Sequence, residues 1–372
     1  MKIGIEGRTL QGRRYGVARY TMNLLRHFVE IDPDNEYVVY LSEDIEPLGF
    51  SSDSLRLEVI ASERIPLAWR HVHLPLAMRR DRVDLHFSPS YFLPLFKVCP
   101  YVDVVHDLSF KAHPEWFSRD KRMKFDGLFW RFVKKAERII TVSEHSKGDI
   151  VRFLGADPAR ISVIYEAADE RFRPVRDDEL LDAVRRKYGL AEGFLFTAGS
   201  IHTRRNLERL IAAVGRAGRE LGTSPTLFIL GTPAQFSAPV DIAGATAAAG
   251  LDGRVTHSEY VSEEDMLLLY NACGMFVYPS IYEGFGLPVI EAMACGAPVA
   301  CSNVTSLPEV GGDAVEYFDP MDVGGMADAI AGVLGDDALK ERLSSAGLER
   351  AATFSWRRAA EETLAVFNEV AG

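Results

Sequence analysis

Short apolar runs alternate with longer amphipathic ones along this chain, and the alternation breaks off once and then begins again. That pattern leaves few folds open. Lys2–Ile5, Tyr37–Leu41, Leu57–Ile60, Leu85–Phe87, Val102–His106, Arg138–Thr141 and Ser162–Ile164 read as strands. Between them Val17–Glu30, Ala68–Arg80, Arg119–Ala136 and His145–Phe153 read as helices. The stretch "YEAADERFRPVRDD", Tyr165 to Asp178, is polar, contains Pro174 and has no periodicity, so it reads as a linker. After it come strand-like runs at Phe194–Ala198, Thr226–Leu230, Val255–Ser258, Met275–Tyr278, Pro298–Cys301 and Val315–Phe318. Two helical segments, Lys340–Thr353 and Trp356–Val370, close the chain. Strands alternating with helices build parallel sheets covered on both faces. A length of 372 residues exceeds what one core ordinarily holds. The expectation is an α/β chain of two doubly wound, Rossmann-like domains, with ligands bound beyond the carboxyl ends of the strands.

Composition removes several classes of function. A net charge of −11 argues against nucleic acid as a partner. No apolar stretch reaches the roughly 20 residues that a spanning helix needs. Met1 to Leu10, "MKIGIEGRTL", reads as a first strand and its turn and not as a signal peptide. Cys99, Cys273, Cys295 and Cys301 show neither metal-ligand nor disulfide spacing, so buried thiols in a reducing cytoplasm are expected. "DPD" at Asp32–Asp34 has proline inside and reads as a turn, and His71 and His73 have no third ligand nearby in sequence. Neither a P-loop nor a strand-linked G-x-G-x-x-G is present, which leaves nucleoside triphosphatases and nicotinamide enzymes unsupported.

The chemistry concentrates in the strand-to-helix turns. In "YEGFGLPVIEAMACGAP", Tyr282 to Pro298, a Gly-rich turn leads into a helix expected from Leu287 to Ala294. A helix start offers unpaired N–H groups and a partial positive charge to an anion. Gly284 and Gly286 let that anion approach the backbone. Glu283 lies in the turn and Glu291 one turn into the helix. "AGSIHTRRNLERL", Ala198 to Leu210, brings Arg204 and Arg205 just ahead of a second helix, where guanidinium groups suit a diphosphate. In the other half "VDVVHDLSF" ends a strand at His106, and "GRRYGVARYTMNLL" sets a glycine-bearing turn before the first helix. "TVSEHSKGDI" places Ser143 as the N-cap of another helix.

Taken together, these motifs resemble glycosyltransferase family 4, retaining enzymes of the GT-B fold that use nucleotide-diphosphate sugars. The Glu283…Glu291 string with its Gly-Phe-Gly core carries the resemblance, and "YGVARYTMNLL", "HFSPSYFLPL", "VVHDLSF", "TVSEHSKGDI" and "AGSIHTRRNLERLI" follow the family's order over nearly the whole chain. "VVHDL" and the last two strings look most like the bacterial O-antigen mannosyltransferase branch. The resemblance implies two domains facing a cleft. Residues 1–168 would bind the acceptor and 169–355 the nucleotide sugar, with a last helix (about 356–372) crossing back to the first domain. It implies that His106, Arg204, Arg205 and Glu283 serve the reacting centre, Glu283 holding hydroxyls of the donor sugar. Gly16, Ser200, Tyr260, Val261, Gly284, Phe285, Gly286, Leu287 and Glu291 would bind the donor, with Glu291 on the ribose and Tyr260 and Val261 at the base. Two departures stand out. Arg205 replaces the family's common Lys, and Ser200 stands where other branches carry Arg.

The implied function is transfer of a sugar, mannose from GDP-mannose, to a glycan or lipid-linked oligosaccharide in cell-surface polysaccharide synthesis, with no metal or other cofactor. A sugar-nucleotide epimerase shares the architecture and is the alternative, and a catalytically silent sugar-nucleotide binder is a third reading. Lys111 to Arg152 carries 11 basic residues against six acidic ones, with Trp116, Phe117, Phe125, Phe129, Trp130 and Phe132 interleaved. It reads either as a face for anionic lipid, on a cytoplasmic protein peripheral to the membrane, or as a core-packed helix with solvated Lys and Arg.

Overall fold

A computed structural model of the chain describes residues 1–12, 16–60, 68–91, 93–117, 133–233 and 240–372. The first sheet has seven strands: β1 (Lys2–Glu6), β2 (Glu36–Leu41), β3 (Leu55–Val59), β4 (Leu85–Ser88), β5 (Tyr101–Val105), β6 (Arg138–Thr141) and β7 (Ile161–Val163). The second has six: β8 (Leu195–Ala198), β9 (Leu227–Leu230), β10 (Val255–Ser258), β11 (Met275–Tyr278), β12 (Val299–Ser302) and β13 (Glu316–Phe318). Every neighbouring pair in both sheets is parallel. The orders are β3-β2-β1-β4-β5-β6-β7 and β10-β9-β8-β11-β12-β13. Each sheet reverses its winding direction once, between β1 and β4 and between β8 and β11, and ligands of doubly wound sheets sit at such reversals.

The chain divides into two compact units. The first comprises Met1–Ala112, the chain leading to Glu166, and Ser355–Gly372; the second holds Ala167–Phe354 with a short stretch beginning at His113. Within the first, the closing helix Trp356–Ala371 packs on the opening helix Val17–Ile31. Phe367 meets Phe28 at 5.7 Å and Phe87 at 5.1 Å, and Trp356 meets Tyr20 edge-on at 5.8 Å between ring centroids. In the second unit the helix Leu207–Leu221 lays Leu207, Leu210, Ile211 and Val214 on the sheet, where Leu195, Leu227, Ile229 and Met275 complete a fully apolar layer.

Local chemistry explains most element ends. Ser143 accepts the N–H of Ser146 and caps the helix Glu144–Leu154, and Asp32 accepts the N–H groups of Asp34 and Asn35, so "DPD" is a turn. Three of the cysteines are buried thiols and Cys99 is half-buried. One element differs from expectation. Ala68–Arg80 is not one α-helix: a π-helical turn, Trp69–His73, precedes the α-helix Leu74–Asp81. Pro75 has no N–H to give the carbonyl of His71 and its ring would press on that carbonyl, which the wider turn relieves. His106 lies one residue past the end of β5, not inside the strand. The helix expected over Arg119–Ala136 falls largely outside the described residues.

Asp103, at the centre of β5, is fully buried, and burial together with the nearby charge of Glu6 pushes its carboxyl well above the usual carboxylate range. An acid raised in the fold stays protonated where the unfolded chain ionises. Stability therefore falls as pH rises from the unfolded pKa toward the folded one, by about 1.4 kcal/mol for each pH unit crossed. Asp103→Asn cannot ionise. Its melting temperature relative to wild type is therefore expected to improve between pH 4 and pH 8, as read by calorimetry. A difference independent of pH would contradict the assignment.

Candidate active site

Two strand-to-helix turns meet at the reversal in the second sheet. β8 ends at Ala198, and Gly199 and Ser200 lead to a 3-10 turn, Thr203–Arg205, before Asn206 takes a left-handed φ of 59° and the helix Leu207–Leu221 begins. His202 fixes this turn by accepting the N–H of Arg204 on its Nδ1 at 3.2 Å. β11 ends at Tyr278, and its turn runs through Ser280, Glu283 and Gly286 into the helix Leu287–Ala294. The two turns are stitched together by backbone: the carbonyl of Arg204 accepts the N–H of Ile281 at 2.8 Å, with the hydroxyl oxygen of Ser280 3.2 Å away.

Between these turns lies a buried ion pair. Arg205 Nη1 donates to Glu283 Oε1 at 2.6 Å, and the two side chains are only 12% and 9% exposed. Ser280 donates to the same oxygen, the guanidinium lies 4.9 Å over the Tyr278 ring, and Arg205 Nε reaches the carbonyl of Ser200 at 3.4 Å. Burial lowers the pKa of Arg205 and Arg204 adds to this, while Glu283 opposes both. Gly199 is required here: at φ 131° a Cβ would stand 2.7 Å from an Arg205 nitrogen.

The helix start is equally well supported. Gly286 is its N-cap at φ 119°, where a Cβ would lie 2.7 Å from Leu307. Pro288 has no N–H and Val289 donates to Gly286 at 2.9 Å, so the amides of Gly286 and Leu287 are the first donors of the helix start, with no partner inside the helix. A third turn, after β12, props up the loop. The hydroxyl of Ser306 donates to the carbonyl of Phe285 at 2.7 Å and lies 3.0 Å from that of Glu283. Thr305, in a left-handed conformation at φ 58° that a β-branched residue rarely adopts, accepts the N–H of Glu283 at 3.2 Å. Phe285 is buried with its ring edge-on to Phe354.

Glu291 sits one turn into that helix, only 4% exposed, and accepts the hydroxyl of the fully buried Tyr270 at 3.0 Å. Tyr260 is exposed and Val261 buried, both in the turn between β10 and the helix Glu263–Ala272. The second unit thus brings together Ser200, Arg204, Arg205, Glu283, Gly284, Phe285, Gly286, Leu287 and Glu291. Gly16 and His106 belong to the first unit. Gly16 is the N-cap of the helix Val17–Ile31 at φ 49°. His106 is held between Pro89 and Glu166. Sequence reasoning missed Ser280, Thr305, Ser306, Tyr270 and Glu166. "NVTSLPE" is itself a turn at a strand's carboxyl end, a signal that applied to the third turn as it did to the other two. Among the described residues no group of three or more His, Cys, Asp or Glu could hold a metal ion, and no helix is long and apolar enough to cross a membrane.

Comparison with known proteins gives this geometry its family. The family model "Glycosyltransferase Family 4" matches residues 15–172, and "Glycosyl transferases group 1" matches 182–350. An O-antigen chain mannosyltransferase B of Escherichia coli is 33% identical over 290 residues, which is 77% of this chain and 75% of that protein. Among solved structures, sucrose-phosphate synthase from Thermosynechococcus elongatus superposes with a TM-score of 0.78 at 20% identity, covering 99% of this chain and 98% of that one. Anabaena HepE, solved in complex with UDP-glucose, does so with 0.77 at 18% identity, covering 99% and 100%. At these identities the two structures speak for the fold, and the sequence relative speaks for the family. The chain belongs to glycosyltransferase family 4: it is a glycosyltransferase of the GT-B fold.

Proposed function

We propose that the chain transfers mannose from GDP-mannose to a glycan or lipid-linked oligosaccharide during cell-surface polysaccharide synthesis, with retention of configuration and without a metal. The observation that carries this reading is the convergence of Arg205, Glu283 and the Gly286 helix start at the reversal between β8 and β11. The similarity to an O-antigen mannosyltransferase supports mannose as the sugar. In this reading the diphosphate lies against Arg204, Arg205 and the amides of Gly286 and Leu287. A nucleoside diphosphate leaves readily once its charge is stabilised, so the main task is electrostatic. Glu283, with Oε1 taken by Arg205 and Ser280, offers Oε2 to hydroxyls of the donor sugar. Glu291 holds the ribose, Tyr260 and Val261 the base, and Ser200, Gly284 and Phe285 shape the bed of the diphosphate. A donor contact by Gly16 and a part in the reaction for His106 rest on the family resemblance alone.

The test combines a melt with product analysis. GDP is expected to raise the melting temperature more than UDP, ADP or dTDP at equal concentration. Proton NMR of the product is expected to show the anomeric configuration of the donor, with turnover unchanged by EDTA. Stronger stabilisation by UDP would reject the nucleotide; an inverted product, or activity lost to EDTA and restored by a metal, would reject the mechanism.

The basic and aromatic segment Lys111 to Arg152 extends the proposal to the inner face of the membrane, although its centre, residues 118–132, lies outside the described residues. Docking there would bring a lipid-linked acceptor to the enzyme, each basic residue contributing about 1 kcal/mol near anionic lipid. Co-sedimentation with anionic liposomes is expected to fall with salt and on charge reversal at Lys121, Arg122 and Lys124, with donor affinity kept. Equal recovery in the supernatant with neutral and anionic liposomes at low salt would leave a solvated helix face.

A further inference from the structure

We infer that Thr305 is a positioning residue for Glu283, kept in a strained backbone so that its hydroxyl can fix the loop that carries this carboxylate. Among the described residues glycine fills 13 positions of positive φ, and Arg82, Asn206 and Thr305 alone carry a side chain there. Of these three only Thr305, at φ 58°, is branched at Cβ, the shape that suits a left-handed backbone least. Glycine would take the same conformation at no steric cost. What glycine lacks is the hydroxyl. Thr305 Oγ1 donates to the carbonyl of Val304 at 2.7 Å and accepts the N–H of Glu283 at 3.2 Å, so its proton and a lone pair are both committed. Strain of this kind persists where the surroundings impose it, and it gathers at ligand sites.

Glu283 is 7% exposed and is gripped at both ends. At the far end Oε1 meets Arg205 Nη1 at 2.6 Å and takes the hydroxyl of Ser280. At the near end its N–H rests on Thr305, and the next residue, Ser306, donates to the carbonyl of Phe285 at 2.7 Å. A side chain pinned at its backbone and at one carboxylate oxygen has its torsions set, and the direction of Oε2 follows. Freeing the backbone end leaves the Arg205 pair in place but lets the loop shift, and Oε2 moves with it. A displacement of about 1 Å in a positioned group costs on the order of 100-fold in rate. Every residue in this chain of contacts belongs to the second unit. The kinetic part of the inference rests on the proposed transfer, in which Oε2 meets the donor sugar; the geometric part does not.

The experiment compares wild type with Thr305→Gly and Thr305→Ser in the full chain. Thr305→Gly removes the strain and the hydroxyl together, whereas Thr305→Ser keeps the hydroxyl and sheds only the branch. In Thr305→Gly the Glu283 amide, followed by nitrogen-15 NMR, is expected to exchange with deuterium about 3- to 10-fold faster, the range of one hydrogen bond. Its melting temperature is expected to stay near that of wild type, because relief of the strained backbone offsets the lost bond. Its kcat with GDP-mannose is expected to fall by about 10- to 100-fold. The melting shift given by GDP should be kept, since GDP carries no sugar for Glu283 to hold. Thr305→Ser is expected to keep both the exchange rate and kcat of wild type. Exchange or kcat unchanged in Thr305→Gly, or a Thr305→Ser protein as slow as Thr305→Gly, would overturn the proposal. So would a Thr305→Gly protein that fails to fold, which would make Thr305 a structural residue alone. Exchange is read without turnover, so a wild type inactive toward every sugar nucleotide would reject the transfer reading, and the exchange rates would still decide whether Thr305 holds Glu283.

Discussion

Arg205→Ala is expected to lower kcat by roughly 10²–10³-fold, the cost of removing one preorganised donor from a developing negative charge. It is expected to weaken the fold as well. The guanidinium and the Glu283 carboxylate are both nearly enclosed, and removing one partner of a buried pair leaves the other charge stranded, at about 3–5 kcal/mol. Arg205→Lys keeps the charge but loses the planar fork that spans Glu283, the Tyr278 ring and the Ser200 carbonyl, so it should fall between wild type and alanine. Rates are to be compared well below the melting temperature of each variant. A folded Arg205→Ala protein that keeps kcat within about threefold would take Arg205 out of the reaction and leave it a structural partner of Glu283.

Glu291→Ala should behave differently. A ribose held equally in the ground and transition states contributes to donor binding and not to kcat. Donor KM is therefore expected to rise by about 10- to 100-fold, the range of one hydrogen bond to a charged group, with kcat nearly unchanged. Stability should fall too, because the hydroxyl of the fully buried Tyr270 loses its acceptor, a loss of about 1–3 kcal/mol. Glu291→Gln retains an acceptor for Tyr270 and separates the two effects: its melting temperature should stay near wild type while KM still rises. Steady-state kinetics in which Glu291→Ala loses kcat and keeps KM would reverse the roles given to the two glutamates.

Much of this was legible in the sequence because the physics that sets it is local. A run such as Val102 to Val105, apolar at nearly every position, belongs in a sheet covered on both faces, and the period of Val17–Ile31 belongs on a helix packed along one side. Gly199 and Gly286 stand where a side chain would clash or strain the backbone, and the bare string Glu283-Gly284-Phe285-Gly286 announced a turn built to receive a ligand. Where local chemistry is ambiguous the reading blurred. Nothing in the periodicity of Ala68–Arg80 separates an α-helix from a π-turn, since the difference lies in how one carbonyl avoids Pro75.

Only the tertiary structure decided which distant residues share a site. Arg205 and Glu283 are partners because β8 and β11, far apart in the chain, lie side by side at the reversal of the sheet. Glu166, which reads as one more solvated charge in a polar linker, is buried against His106 because β7 ends near the end of β5, across β6. Strand order and register come from the summed burial of whole layers, and no single residue's spacing carries that sum. The chain by itself therefore determined which groups could do chemistry and on which turns they stand. Which of them touch was decided by packing, where many weak contacts act together.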